Sequence, residues 1–396
     1  MANDCLLLTN HGNEPYLLGI RIALACGFNK ICVPLYYLGK SGESNQKKII
    51  TEEFPDDLNR IFLSKPLGDL LRPLIRGSEN NLSYPDYVTR FYSSKNISAS
   101  PCIQEIEHLL KSLLITGIPG QSINNQELVL FSTNNIQSIL NIGLPIDSFT
   151  LPTFYIFTAL MSAVYKYSDI PNNQKEVGKF SALADYWETL EQKFAAIYVP
   201  KINALSHLSH FSEKITYCPP LTKIVNQEVN LLSKESVLFS PSATGVDKKG
   251  LRKVRNFVSS FYQPVSYSPL LKSFQHVTPD VFLDNKLLAV ISRGGWGTTW
   301  KCLVYSKPIG FLRTEFVEDP EIAHSIETIS KLNIGFPISE SIVNKAFPSH
   351  LELANFKQNI KHLIDLDKDE FIYLNGNYAR NGIDLVAKKI IQYLSV

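Results

Sequence analysis

The chain is nearly without net charge. Its 39 Lys and Arg stand against 37 Asp and Glu over 396 residues, a formal +2. That balance lacks the electrostatic footprint of a nucleic-acid binder, so any basic function has to be local. Cysteine is sparse and scattered: none of Cys5, Cys26, Cys32, Cys102, Cys218 and Cys302 forms a C-x-x-C pair. This argues against zinc and for reduced core thiols in a cytosolic protein. The opening MANDCLLLTNHG has neither the basic n-region nor the long apolar h-region of a secretory signal. Long apolar runs are missing too. The most membrane-like stretch, LPTFYIFTALMSAVYKY at 151–167, has about fourteen apolar or neutral residues before Lys166, short of the roughly 18 a spanning helix needs. It reads as a buried helix.

What is present is ordinary globular composition, 44% apolar and 19% charged. The length fits two domains of roughly 150 to 200 residues. DCLLLTN (4–10), NEPYLLGIRIALACG (13–27) and KICVPLYYL (30–38) read as strand, helix and strand. Asn13 suits the helix cap, Pro15 the first turn and Gly27 the stop. Such a βαβ opening implies a parallel sheet with helices on both faces. RIFLS (60–64), ELVLFST (127–133) and KITYC (214–218) read as further strands, and ADYWETLEQKFAAIYVPKINAL (184–205) as one helix.

A second series starts at ESVLFSPSATG (235–245), after a linker near 219–235. It runs through a helix at 248–261, strand LLAVIS (287–292), a helix opening at Thr298 and strand KPIGFLR (307–313). The helix DPEIAHSIETISKLNIG (319–335) follows, with Asp319 as cap and a stop near Gly335. FKQNIKHLIDLDKDEF and GIDLVAKKIIQYLSV add helices. The expected architecture is two α/β lobes with a cleft between them: an N-terminal lobe over 1–225, a C-terminal lobe over 235–375 and a final helical segment over 376–396.

The richest stretch is ISRGGWGTTWKC, where three glycines fall within four residues between a strand and a helix. At the carboxyl edge of a parallel sheet, free amides and the positive end of a helix dipole make an anion site. Gly294, Gly295 and Gly297 remove side chains that would hold a phosphate off, and Arg293 offers a charge-assisted contact. A tight turn that needs glycine only for its backbone angles explains the same residues. SPSATG (240–245) occupies the corresponding first turn of this lobe, where Ser242 and Thr244 suit phosphate or ribose, or simply a β-to-α turn.

Other patterns are weaker. Gly245 and Gly250 match the glycines of a P-loop, but Leu251 and Arg252 follow where Lys and Ser or Thr are required. The first loop, TNHGNEP, has no G-x-G-x-x-G, which disfavours a dinucleotide dehydrogenase. KKGLRKVR (248–255) reads as a solvated helix face in preference to an anionic-lipid patch. DLDKDE (365–370) is more simply a charged helix end than a metal motif, and His207 and His210 lack a third ligand.

The run RGGWGTTWKCLVYSKPIGFLRTEFVEDPEIAHSIETISKLNIG resembles the nucleotide-sugar half of the GT-B glycosyltransferases, closest to the group acting on lipids, sterols and antibiotic aglycones. There an H-G-G-x-G-T turn holds the diphosphate and an acidic loop faces the sugar. The matching residues are Gly294, Gly295, Gly297, Thr298 and Thr299, then Glu318 and Asp319. Arg293 stands where the family has histidine, and Pro320 where it has glutamine. LLLTNHGNEPYLLGIRIAL resembles the first strand, loop and helix of that superfamily more weakly. The loop's base histidine corresponds to His11, with Glu14 or Asp4 as orienter or alternative base.

The resemblance implies a GT-B fold of two Rossmann-like lobes. It implies an inverting glycosyltransferase that needs neither metal nor bound cofactor and takes a nucleotide diphosphate sugar, such as a UDP-sugar, as co-substrate. The acceptor would be a small molecule or lipid, with peripheral membrane contact left open and nucleic acid excluded. A nucleotide-sugar 2-epimerase shares this architecture, and Arg293 favours a third reading, a non-catalytic GT-B-like binding protein.

Overall fold

The computed structural model describes residues 4–9, 13–35, 42–65, 68, 128–133, 153–156, 160, 162–164, 181, 184–185, 188, 191–192, 194–204, 214–222, 229–240, 248–267, 271, 273–312, 320–338, 347–366, 373–374, 377–378 and 382–395.

The first sheet contains β1 (Asp4–Thr9), β2 (Lys30–Pro34), β3 (Ile61–Ser64), β4 (Leu128–Thr133), β5 (Thr153–Ile156), β6 (Ala196–Pro200) and β7 (Ile215–Cys218). Every pairing is parallel and the spatial order is β3-β2-β1-β4-β5-β6-β7. Helices α1 (Asn13–Ala25) and α2 (Gly42–Glu53) connect the early strands, and a one-turn helix α3 (Lys201–Ala204) follows β6 directly.

The second sheet holds β8 (Ser236–Ser240), β9 (Gln263–Ser266), β10 (Gln275–His276), β11 (Leu287–Ser292), β12 (Ile309–Leu312) and β13 (Gly335–Ile338). Its order is β10-β9-β8-β11-β12-β13, again parallel throughout. Helices α4 (Lys248–Val258), α5 (Trp296–Val304) and α6 (Pro320–Lys331) serve as its crossovers, and α7 (His350–Leu366) and α8 (Gly382–Leu394) follow. Both orders reverse direction once, at β1/β4 and at β8/β11, the doubly wound arrangement in which ligands bind beyond the strand ends at the switch point.

Strands covered on both faces need apolar side chains at every position, which is why SVLFS and LLAVIS are continuous runs rather than alternating ones. The two faces feed different cores. Val237, Phe239, Ala289 and Ile291 pack with Leu251, Val258 and Phe347 on one side. Leu238 and Val290 join Trp296, Trp300 and Leu303 on the other. That second cluster continues into the first lobe through Ile20, Tyr198 and Cys218, and takes in Ile383, Val386 and Ile390 of α8. The last helix therefore packs back onto the first lobe: Gly382 N donates to Pro220 O at 3.2 Å, and a Cβ at Gly382 would lie 2.2 Å from Pro219 O.

Three helices end in the same way. Gly27, Ser306 and Asn333 adopt φ of 80°, 52° and 50°. At each, the amides of that residue and the next bond back to the last turn, as Gly27 N→Leu24 O and Phe28 N→Ala23 O do after α1. Gly27 is the expected stop. For α6 the expectation needs correction. The helix stops at Asn333, whose left-handed backbone closes it, while Gly335 begins β13, where a Cβ would meet Ile309 O at 2.4 Å.

Two longer expectations also fail. The run 184–205 is not one helix, because AIYVP is β6, paired to β5 and β7. The run 151–167 is not a single buried helix, because TFYI is β5 in the sheet interior. Both are short apolar runs whose period cannot distinguish a buried strand from a buried helix. Cys5, Cys26, Cys32, Cys218 and Cys302 are free thiols, as expected, and burial pushes Cys26 and Cys32 up to about 12. No helix among the described residues is long and apolar enough to cross a membrane.

Candidate functional site

β11 delivers the glycine turn to the switch point of the second lobe. Ser292 pairs with Ser240 at the carboxyl ends of the two central strands, so both strands end at the same level of the sheet. Ser292 Oγ accepts from Gly294 N at 3.0 Å, which starts the turn. Gly294 sits at φ 89°, and a Cβ there would lie 3.0 Å from Cγ1 of Ile326 on α6. Its glycine is a structural requirement.

Gly295 differs. It is the N-cap of α5 with φ −67° and ψ 140°, a conformation any residue adopts, and a Cβ there would meet nothing within 4 Å. Among the described residues no side chain caps the helix. The first bond back is Thr299 N→Gly295 O at 3.1 Å, reinforced by Thr299 Oγ1→Gly295 O at 3.1 Å. The amides of Trp296, Gly297 and Thr298 therefore have no acceptor within the helix. The helix opens at Trp296, two residues before the Thr298 expected from sequence, so Gly297 lies inside its first turn. Open space, an uncapped N-terminus and a position at the switch point together suit an anion.

A chain of hydroxyls lies beside it. Ser240 Oγ is within hydrogen-bonding distance of Tyr267 OH at 2.5 Å and of Thr298 Oγ1 at 3.4 Å. This joins the ends of β8 and β9 to the first turn of α5. Ser240 and Tyr267 are partners that sequence reasoning did not single out; the only hint was that SPSATG is rich in hydroxyls.

The floor is apolar. Trp296 is buried 6.1 Å from the buried His324 ring of α6, and its Nε1 has no acceptor among the described residues. Arg293 is half-buried, with Nε shielded from solvent and without a partner among the described residues. No described carboxylate pairs with its guanidinium.

Of the sequence-derived site residues, the structure brings Arg293, Gly294, Gly295, Gly297, Thr298 and Thr299 together on one turn. Glu14 lies in α1, but its side chain is outside the described residues. His11, Ser242, Thr244, Glu318 and Asp319 also lie outside them. Residues 10–12 join β1, at the first lobe's switch point, to α1, and 313–319 join β12 to α6.

No protein-family model matches the chain, and a comparison with curated proteins finds no match. Solved structures do match. A UDP-glucosyltransferase from Polygonum tinctorium capable of glucosylating indoxyl, in complex with 3,4-dichloroaniline, superposes with a TM-score of 0.65 at 11% identity, covering 100% of this chain and 99% of that one. The UGT2 protein of Phytolacca americana, complexed with UDP-2fluoro-glucose and pterostilbene, gives 0.62 at 10% identity over 99% and 100% of the chains. CalG4, the calicheamicin glycosyltransferase, gives 0.56 at 12% identity over 99% and 98%. The likeness spans both lobes from end to end, and the chain has the GT-B fold of these glycosyltransferases.

Proposed function

We propose that the protein is a GT-B glycosyltransferase that moves a sugar from a nucleotide diphosphate sugar to the hydroxyl of a small-molecule or lipid acceptor. The observation that carries this reading is the start of α5 at the β8/β11 switch point, uncapped among the described residues, open at Gly295 and flanked by Arg293, whose Nε has no partner among them. Amides and dipole hold the diphosphate and stabilise the charge that grows on it as the glycosidic bond breaks. Arg293 supplies a bidentate contact where the resembling enzymes use histidine. Thr298 and Thr299 line the turn, Ser242 and Thr244 approach phosphate or ribose, and Glu318 and Asp319 hold the sugar hydroxyls. The helix terminus does the electrostatic work a metal would do, so none is required.

In this scheme His11 accepts the acceptor's proton, with Glu14 orienting it. The acceptor oxygen then forms its bond to the anomeric carbon from the face opposite the leaving diphosphate, inverting the centre. The nucleotide diphosphate departs with the bonding electrons. The structural neighbours' UDP-sugar and aromatic ligands support this class of substrates. Thermal-shift measurement against UDP and a panel of UDP- and TDP-sugars tests the reading. Stabilisation by several of them, absent in Gly295→Asp protein, is expected; no response to any removes the donor site. Arg293 also favours a second reading, nucleotide binding without transfer. That reading predicts the same thermal shifts with no sugar moved to any acceptor.

A further inference from the structure

Helix α4 lies apart from the chemistry proposed above. It carries Lys248, Lys249, Arg252, Lys253 and Arg255 in 11 residues and no acidic side chain. The whole chain is only +2, so without these five the remainder is −3. Arg252 and Lys253 are exposed and have no ion-pair partner among the described residues, and Arg255 is spent on the Phe274 ring at 5.2 Å.

An aromatic tip continues this basic face. Helical bonding persists past Val258, with Ser259 N→Arg255 O at 2.8 Å and Tyr262 N→Val258 O at 2.9 Å. The four-residue spacing therefore sets Lys253, Phe257 and Phe261 on one ridge. The Phe257 and Phe261 rings meet edge to face at 5.6 Å, and Phe261 remains 63% exposed. Phe261 neighbours Tyr262, whose ring lies 5.7 Å from His350, next in the chain to Leu351 at 72% exposure. Unpaired cations beside unshielded apolar side chains suit a surface that is anionic outside and apolar just beneath.

We propose that α4 and its Phe261 tip form a docking surface for an anionic lipid bilayer. Arg252 and Lys253 meet the headgroups, and Phe261 enters the acyl boundary. A nucleic acid is disfavoured by the charge of the remainder, which is net negative and would repel a long polyanion. A bilayer meets one face only, within a screening length of about 8 Å. This inference is independent of the donor chemistry.

Co-sedimentation of the full chain with two kinds of vesicle tests it. One kind is pure phosphatidylcholine; the other is an equimolar mixture with phosphatidylserine. Binding to the mixed vesicles alone is expected, weakening as salt is raised. The Arg252→Glu, Lys253→Glu protein should lose at least about tenfold in partitioning. Phe261→Ser should lose several-fold, and this loss should persist at high salt. Thermal melts check that the variants fold, and Arg252→Gln, Lys253→Gln serves if the reversal does not. Equal binding to both vesicles, an unchanged charge variant, or capture by RNA or polyglutamate without vesicle binding overturns the proposal.

Discussion

Trp300 Nε1 donates to Asn203 Oδ1 at 3.3 Å, joining residues 97 positions apart in sequence and on different lobes. Trp300 lies one turn beyond the glycine turn on α5, and Asn203 lies on α3, directly after β6. Both are almost fully buried. The bond ties the candidate donor turn to the lobe proposed to hold the acceptor. Asn203→Leu strands the indole N–H and should cost about 1–3 kcal/mol in denaturant melts. It should also lower kcat more than it raises the KM for donor, because the donor turn itself is untouched. Equal effects on kcat and KM would show that the bond is structural only.

The adjacent glycines should behave oppositely. Gly295→Asp meets no atom and places a favoured N-cap side chain at α5. Its stability should equal that of the natural chain or exceed it by a few tenths of a kcal/mol, while its carboxylate repels a diphosphate. Gly294→Ala forces a left-handed backbone on alanine and crowds Ile326, for a loss of roughly 1–2 kcal/mol. Chemical denaturation beside UDP-induced thermal shift separates the two.

The caps at Ser306 and Asn333 hold left-handed angles that glycine tolerates better. Ser306→Gly should therefore raise stability by roughly 0.5–1 kcal/mol, with less gain at Asn333, a residue type that tolerates this region. A lower melting temperature for Ser306→Gly would contradict the cap geometry.

Lys307 is buried and donates to Asp284 O at 2.8 Å and Leu287 O at 3.1 Å. Burial first, then Lys357, lowers its pKa from 10.5 to about 8, against opposing pulls from Asp284 and Cys302. Between these values the unfolded chain holds the proton and the native one does not, so stability rises with pH across that window. Below pH 8 the burial penalty is fully present. Relative to Lys307→Met, the natural chain should gain on the order of 3 kcal/mol from pH 8 to 10.5 in urea titrations. A flat difference would refute the assignment.

Much of this was legible beforehand. Periodicity and punctuation exposed the βαβ opening, the stop at Gly27, the strand before the glycine turn and the amphipathic α6, because each depends on neighbours within a few residues. The runs 151–167 and 184–205 misled, because β5 and β6 are strands by virtue of pairing with partners dozens of residues away. Local apolar character is the same for a buried strand and a buried helix.

The glycine turn divides along the same line. Composition and order alone marked 293–299 as a glycine turn between a strand and a helix, open to either an anion or a tight turn. Tertiary structure decided what each glycine is for: Gly294 answers to Ile326 on α6, while Gly295 faces nothing. It also decided the company the turn keeps, Ser240 and Tyr267 across the switch point and Asn203 across the lobes. Those contacts depend on strand order and lobe packing, and no window of neighbouring residues encodes either.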